Sequence, residues 1–498
     1  MNTFAAARVR IVLTALVGVV LSLGAAGCAQ PEPEAEEPAV ETVEYDPAVW
    51  AESHPEIFQT WMATSEERPP GLSKYKRGYD GGVMFDKLSE WPFMALLFNG
   101  FGFGIDYQEP RGHYYMMIDQ SHVDPSRVRS GGACLTCKSP YAEQLYREDK
   151  DALFAATYEE AVAMLPEAHR SLGATCIDCH DNEALELSTR RWTMDAAIRE
   201  IGLEPHTLSM SQQRLMVCAQ CHCTYSVMRE DDRVVDIDYP WEGSEWGAIT
   251  VENIIDALMT QPERLEWTQT VTGLRMPFIR HPDIEFYAAN GSTHWMAGVT
   301  CADCHMGDIT LNNKTVPNHN LMSPLKRDMQ VCLRCHAATP EELKAEVIAI
   351  QDANAALLID AGYRTATVAK LIERANPYVA TADEGAKARF DEAVEHYRQG
   401  FYRVIYMGAE NSVGFHNPQE GRRILGDAVT EVDQADAILR ELLTSWGAPP
   451  PPEVPLELER YLTNRGVYAK GFVREQYFPD PTGQAERRWP ASLGALLR

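Results

Sequence analysis

The chain is short of positive charge. Its 498 residues carry 45 Lys and Arg against 72 Asp and Glu, a formal net charge of -27 at pH 7. That balance argues against nucleic acid or an anionic membrane surface as a partner. It suits a basic redox partner, although a solvated acidic face has the same composition. Beyond the N-terminal leader the sequence also lacks any apolar run long enough to span a bilayer. Hydrophobic residues still make up 45% of the chain. A sizeable core is therefore possible, in two or three domains or one large one.

The N-terminus has the pattern of an export signal. Arg8 and Arg10 precede an apolar run from Ile11 to Val20, and Ala25, Ala26 and Gly27 lead to Cys28. Residues 1–27 are read as a signal peptide, outside the fold. Cys28 after small residues is similar to a bacterial lipoprotein cleavage site, but Ala25 stands where such sites usually carry Leu; ordinary cleavage nearby is the alternative. Residues 28–47 are rich in Pro, Glu and Ala and too polar to bury anything, which predicts a tether. The expected location is the periplasm or another exported compartment, with lipid at Cys28 as one means of anchoring.

Twelve cysteines are present. Cys28 belongs to the leader and Cys223 is left over, a packed thiol. The other ten form five pairs with two residues between: Cys134/Cys137, Cys176/Cys179, Cys218/Cys221, Cys301/Cys304 and Cys332/Cys335. Four pairs are followed directly by a histidine: His180, His222, His305 and His336. Chance predicts roughly 0.01 such C-x-x-C-H strings in this composition. The chemistry explains the spacing: two thiols bond to the vinyl-derived carbons of a porphyrin, and the next side chain falls under the iron as axial ligand. Structural zinc would not need His at a fixed next position. Five disulfides across two residues would be odd even in an exported protein, and thioredoxin-like redox pairs do not come in fives.

The first pair lacks the histidine. Cys134-Leu135-Thr136-Cys137 is followed by Lys138. A lysine amine binds iron only after losing a proton, which normally costs free energy at pH 7. A simple electron relay would more easily use His. The alternative is that this pair is no haem site at all.

One C-x-x-C-K followed by four C-x-x-C-H resembles the pentahaem cytochrome c nitrite reductases that form ammonia. The resemblance runs from about Pro55 to Leu443. It implies five covalently bound haem c groups, with Lys138 on one side of the first iron and an open site on the other. It also nominates the second ligands of the other four. His113 in Pro110-Arg111-Gly112-His113 is similar to the family's distal ligand of the third haem, and His294 to that of the fifth. His319 in Pro317-Asn318-His319 matches the second, and His416 in Phe415-His416-Asn417-Pro418 the fourth. Three more positions look catalytic by the same resemblance: Tyr225, His281 in Arg280-His281-Pro282, and an arginine upstream of the first haem. For that arginine Arg129 in Arg129-Ser130-Gly131 is the nearer match, with Arg127 as the alternative because the loop to Cys134 is short.

These residue types suit the chemistry. Nitrite is a small anion, and cationic Arg and His beside the iron would attract it and stabilise developing charge. A histidine can deliver protons near neutral pH. Six electrons must arrive in sequence, which a chain of two-histidine haems can supply.

The sequence departs from the family at one place. Many members hold calcium beside the active site, with a Glu just before the catalytic Tyr and a Gln just before the catalytic His. Here those positions are Thr224 and Arg280. Calcium takes oxygen ligands, so the expectation is that Arg280 stands in place of the ion and calcium is absent.

The fold class expected is mainly α: a multihaem cytochrome in which short helices and loops wrap haems over residues 48–340, then long helices over 341–447, then a tail over 448–498. Leu343, Val347, Ile350, Leu357 and Ala361 recur at helical spacing. So do Phe390, Val394, Tyr397, Phe401 and Val404, and again Ile424, Ala428, Val432, Ala435, Ile438 and Leu442. Gly447 and the prolines from Pro449 to Pro452 should stop the last helix. In the family such helices form a homodimer contact. Family resemblance further implies a redox partner such as a membrane-anchored tetrahaem quinol dehydrogenase. Two other functions compete with nitrite reduction: a pure electron carrier, and reduction of hydroxylamine, nitric oxide or sulfite at the same iron.

Overall fold

The computed structural model describes residues 43–463 and 465, apart from 77, 79, 81–84, 110 and 183. The expected signal peptide, Cys28, most of the tether and the end of the tail lie outside the described residues. The tether stops sooner than its composition suggests. Asp46 caps a helix over Pro47–Ser53, and the Tyr45 ring stacks on Tyr141 with centroids 3.9 Å apart. An aromatic and a helix cap at the end of a polar stretch are enough to bind it to the core.

Up to residue 339 the chain is built of short pieces. The longest helix, Ala142–Ala155, has 14 residues. The strands of the described residues form three antiparallel hairpins: β1 (Ser226–Glu230) with β2 (Arg233–Asp238), β3 (Trp267–Thr268) with β4 (Arg275–Met276), and β5 (Asp308–Leu311) with β6 (Lys314–Pro317). The β5–β6 turn is Asn312-Asn313, both at positive φ, the conformation that a two-residue hairpin needs. One further short helix, α1 (Asp283–Ala288), matters below.

Three long helices follow: α2 (Pro340–Val379), α3 (Glu384–Ala409) and α4 (Pro418–Ser445). Their starts are written in the sequence. Thr339 and Glu342 cap each other's backbone before α2, and Pro340 occupies its first turn. Asp383 caps α3 and Asn417 caps α4. After α4, Gly447 takes a φ of 72° and the Ala448 N–H reaches back to the Leu443 carbonyl at 2.8 Å, a left-handed stop that glycine makes at low cost.

The apolar positions expected in α3 and α4 are all buried. In α2 the reading drifts. Leu343 and Val347 are buried, but Leu357 is 36% exposed and Leu358 is fully buried. Counting in sevens loses about 20° per heptad on a straight helix, so by Leu357 the stripe has rotated onto the next residue.

These helices are not a separate domain. One continuous core joins Phe93, Trp241 and Phe286 to Leu358, Tyr402 and Leu439. Two glycines allow the close approach: a Cβ at Gly362 would overlap the Phe93 ring, and one at Gly408 would overlap the end of Met94.

The tail, which the sequence left without a role, comes back to the core. α5 (Leu458–Leu462) buries Leu458 and Tyr461. Arg465, 6% exposed, then donates to both oxygens of buried Asp86 at 2.7 Å and to the Ile105 carbonyl at 3.0 Å. Breaking a buried pair leaves a charge unpaired, which costs about 3–5 kcal/mol. Arg465→Ala is therefore expected to lower stability by about that amount, read as an earlier midpoint in denaturant unfolding followed by tyrosine and tryptophan fluorescence. An unchanged midpoint would contradict the pairing.

Candidate haem sites and the lysine pocket

Each cysteine pair sits on a single tight turn. The His180 N–H donates to the Cys176 carbonyl at 2.9 Å, His222 to Cys218 at 3.0 Å and His336 to Cys332 at 2.9 Å. This four-residue loop brings both thiols and the following ring to one side. The residues inside two motifs make their own caps. In Thr175-Cys-Ile-Asp178 and in Thr300-Cys-Ala-Asp303 the Asp accepts from the Thr backbone N–H at 2.8 and 2.7 Å. Arg191, 3% exposed, locks the first turn to the second: it donates to the Ser139 carbonyl at 3.0 Å and to Asp178 at 2.6 Å. The thiols of motifs also meet in pairs, Cys137 beside Cys221 and Cys218 beside Cys301. The first and third motifs are thus neighbours, as are the third and fourth.

Nine of the ten motif thiols are partly buried and Cys335 is exposed. The turn of the fifth motif, Cys332–Arg334, rests on a small satellite cluster of Leu325, Met329, Leu343 and Val347. Cys332 and Leu333 pack against that cluster, and Arg334 pairs with Asp308 at 2.8 Å.

The eight histidines fall into four facing pairs. Ring centres are 6.3 Å apart for His180 and His319, 6.4 Å for His113 and His222, 6.3 Å for His305 and His416, and 6.2 Å for His294 and His336. These spacings can be tested against an iron. A metal–imidazole bond of about 2.0–2.1 Å on each side, plus half of each ring, puts the centres roughly 6.3 Å apart. The gap is too wide for stacked rings and fits one metal atom. Hydrogen bonds orient several rings for this task. Nδ1 of His180 donates to the Leu185 carbonyl at 2.8 Å, that of His305 to Met322 at 3.0 Å and that of His319 to Pro317 at 3.0 Å. Nδ1 of His222 donates to Asp283 at 2.9 Å. In each the other nitrogen is left for a metal. The residues therefore fit four axially ligated haems.

Lys138 has no histidine opposite it in this sense. Its amine makes no hydrogen bond or ion pair among the described residues. His281 is close by: burial first, and then the Lys138 charge, hold its imidazole down at about 3. Its Nδ1 is buried without a partner among the described residues. The backbone at His281 is strained, with φ at 40°, and the turn closes through the Asp283 N–H donating to the His281 carbonyl at 2.6 Å. Left-handed conformations at non-glycine residues concentrate at functional positions. Tyr225 is partly buried, and burial raises its phenol well above the ordinary value.

Arg280 is 8% exposed and does not reach solvent. It forms a two-pronged ion pair with Glu266, whose side chain is 1% exposed, with one N–H at 2.6 Å from Oε1. It also donates to the Tyr225 carbonyl at 3.1 Å and lies 4.7 Å from the Tyr225 ring centre. Glu266 was not picked out from the sequence; nothing in its local pattern marks it.

The two arginines upstream of Cys134, Arg129 and its alternative Arg127, separate clearly in burial. Arg129 is exposed. Arg127 is half-buried, sits 3.8 Å above the Phe103 ring and donates to the Asp106 carbonyl at 2.7 Å. Its Nε is buried without a partner among the described residues, and its charge is felt at Cys134 and Tyr225. The reason is geometric: a short 3-10 turn over Pro125–Val128 aims residue 127 inward and residue 129 outward.

Comparison with known proteins adds a family. The Cytochrome c552 family model matches residues 46–491. The cytochrome c nitrite reductase subunit NrfA of Nitratidesulfovibrio vulgaris is 29% identical over 72% of this chain and 74% of its own. A cytochrome c-552 of Bacteroides fragilis is 26% identical over 86% of each. Among solved structures, the cytochrome c nitrite reductase of Desulfovibrio desulfuricans, described for its two calcium sites, superposes with a TM-score of 0.72 at 24% identity, covering 80% of this chain and 86% of that one. That last likeness speaks for the fold.

Removing one ring of a facing pair should open an iron without freeing its haem. His319→Ala is expected to keep full haem content, because Cys176 and Cys179 remain, and to add one high-spin component to the ferric electron paramagnetic resonance (EPR) spectrum. An unchanged low-spin spectrum would remove His319 from the ligand set.

Proposed function

This chain belongs to the cytochrome c552 family, and we propose that it is an exported pentahaem enzyme that reduces nitrite to ammonia at the Lys138 site. One observation carries the reading. Eight histidines are used up in four pairs at metal spacing, which leaves the Lys138 motif facing His281, Tyr225 and Arg127 instead of a second strong ligand. A pure electron carrier would have no reason to leave one site so furnished.

Covalent haem c supplies electrons one at a time and an iron with a free position for the nitrogen of nitrite. The protein's part follows from its side chains. Lys138 would hold the iron through its amine, which is committed to no other described partner. Arg127 offers the unpaired Nε–H to a nitrite oxygen, in a buried setting where one such donor matters most. His281 is neutral at pH 7 in the free site. An arriving anion favours its protonated form, so the ring takes up a proton with the substrate and can hand it to the departing oxygen. Tyr225 keeps its proton, because burial opposes the phenolate, and so remains a donor throughout. Six electrons and eight protons convert nitrite to ammonium and two waters. The neighbouring thiols of motifs one, three and four support a chain of adjacent haems leading to Lys138.

The Arg280–Glu266 pair replaces calcium in this reading. The guanidinium satisfies the Tyr225 carbonyl and the Glu266 carboxylate, groups that a cation would otherwise need to hold. Export, a homodimer through the long helices and a membrane tetrahaem donor complete the proposal. No helix among the described residues is long and apolar enough to cross a membrane.

The assay is ammonia yield from nitrite with a reduced dye as donor. Haem-loaded protein should convert nitrite fully to ammonia, and prior treatment with a calcium chelator should leave the rate unchanged. No ammonia from protein with five haems would overturn the function; loss of activity on chelation would overturn the role of Arg280. Arg127→Ala should lower kcat/KM by roughly 100- to 1,000-fold, while Arg129→Ala stays near wild type. The opposite ranking would return the role to Arg129.

A further inference from the structure

Asp283 entered above only as the acceptor that orients the His222 ring and as the N–H that closes the turn at His281. It is the first residue of α1, two positions past His281, and 8% exposed. Its Oδ2 accepts from His222 Nδ1 at 2.9 Å and from the Asn411 side chain at 2.6 Å. Its Oδ1 accepts from the Asn411 backbone N–H at 2.7 Å. On a further side stands His416. A nitrogen of His416 and one carboxylate oxygen each of Asp283 and Glu410 lie within 4.8 Å of one another. His416 Nδ1 is buried with no partner among the described residues.

Two carboxylates and a ring nitrogen could also suggest a cation. The donors around them argue otherwise. Glu410 accepts from the Ser412 N–H at 2.8 Å, the Ser412 hydroxyl at 2.7 Å and the Gly414 N–H at 2.5 Å. With Asp283 also filled by three donors, a metal would have to displace N–H groups already in place. The cluster is an acceptor for protons on nitrogen.

His222 and His416 belong to different facing pairs, the first with His113 and the second with His305. We infer that Asp283 is a positioning residue shared by two adjacent haem sites: it fixes the His222 ring directly, and one of its carboxylate oxygens lies within 4.8 Å of a nitrogen of His416. The inference rests on the haem-ligand assignment proposed above. A carboxylate on Nδ1–H makes the opposite ring nitrogen a stronger donor to iron. That favours the ferric state, as does a buried negative charge beside it. Both effects push the reduction potential of the His222 haem down, and that of the His416 haem in the same direction by less. Because the Asp283 N–H also closes the strained turn at His281, the same residue ties the relay to the lysine pocket.

The test uses the full, haem-loaded protein with Asp283→Asn, which keeps the size and removes the charge. Haem content is measured first, then midpoint potentials by spectropotentiometry, then ferric EPR. The expected result is five haems retained, one low-spin midpoint clearly more positive, a second shifted less in the same direction, and the remainder unmoved. Asp283→Glu, which keeps the charge, should leave the midpoints close to their wild-type values. Asn411→Ala, which keeps the charge but removes one clamp, should alter the low-spin EPR g-values with little change in potential. If Asp283→Asn loses haem, Asn411→Ala decides alone. Five haems with every potential and g-value unchanged in both variants would overturn the inference and leave the nitrite proposal standing. A wild-type protein without five haems would instead overturn the assignment beneath it.

Discussion

Four pairs of imidazoles hold their ring centres at one separation, the separation that a single metal atom between two rings would demand. Each facing pair joins distant segments: 113 with 222, 180 with 319, 294 with 336, and 305 with 416. All four pairs stand 6.2–6.4 Å apart. Tolerance at a coordination bond is a few tenths of an ångström, far tighter than hydrophobic packing requires. The short turns, capped motifs and small hairpins before residue 339 make sense as supports for those spacings. A chain that must bring a histidine to a fixed spacing every few dozen residues has little room for long helices.

The long helices supply what that region cannot. They give a regular apolar surface on which Phe93, Met94 and Phe286 pack, and they share one core with the cysteine-bearing segments. Asn411 and His416, in the loop between α3 and α4, depend on this docking. So does the tail, through Arg465 and Asp86. Bundle and haem-binding region are thus one folding problem, in which displacement of α3 against α4 would move a ligand and its neighbours together.

Around Lys138 the charges are arranged by burial. Arg280 stays paired with Glu266 in the interior, where breaking either partner would strand a charge. His281 is kept neutral by the same burial, and Arg127 keeps a donor free. A permanently charged guanidinium differs from a calcium ion in being part of the chain: it cannot dissociate or be chelated, and its planar fork matches a carboxylate on one side and a carbonyl on the other. The local field beside Tyr225 is then fixed once the protein folds.

The sequence by itself determined the cysteine turns, the odd lysine and the three long helices, because each is a local pattern: fixed spacing, a cap, an apolar stripe. It also nominated eight histidines, through order and a family likeness, and the fold sets them face to face in pairs. Its phase failed at Leu357, where a seven-residue count outran a helix of 3.6 residues per turn, and it ended the tether too late because a lone Tyr45 carries no periodic signal. Tertiary structure alone decided which of two arginines is half-buried and which is exposed, since residues two apart on a short turn point in opposite directions. It alone brought Glu266 to Arg280, Asp283 to His222 and His416, and Arg465 to Asp86. Those pairings join residues separated by anything from 14 to 379 positions, and no local spacing encodes a contact that only the folded chain creates.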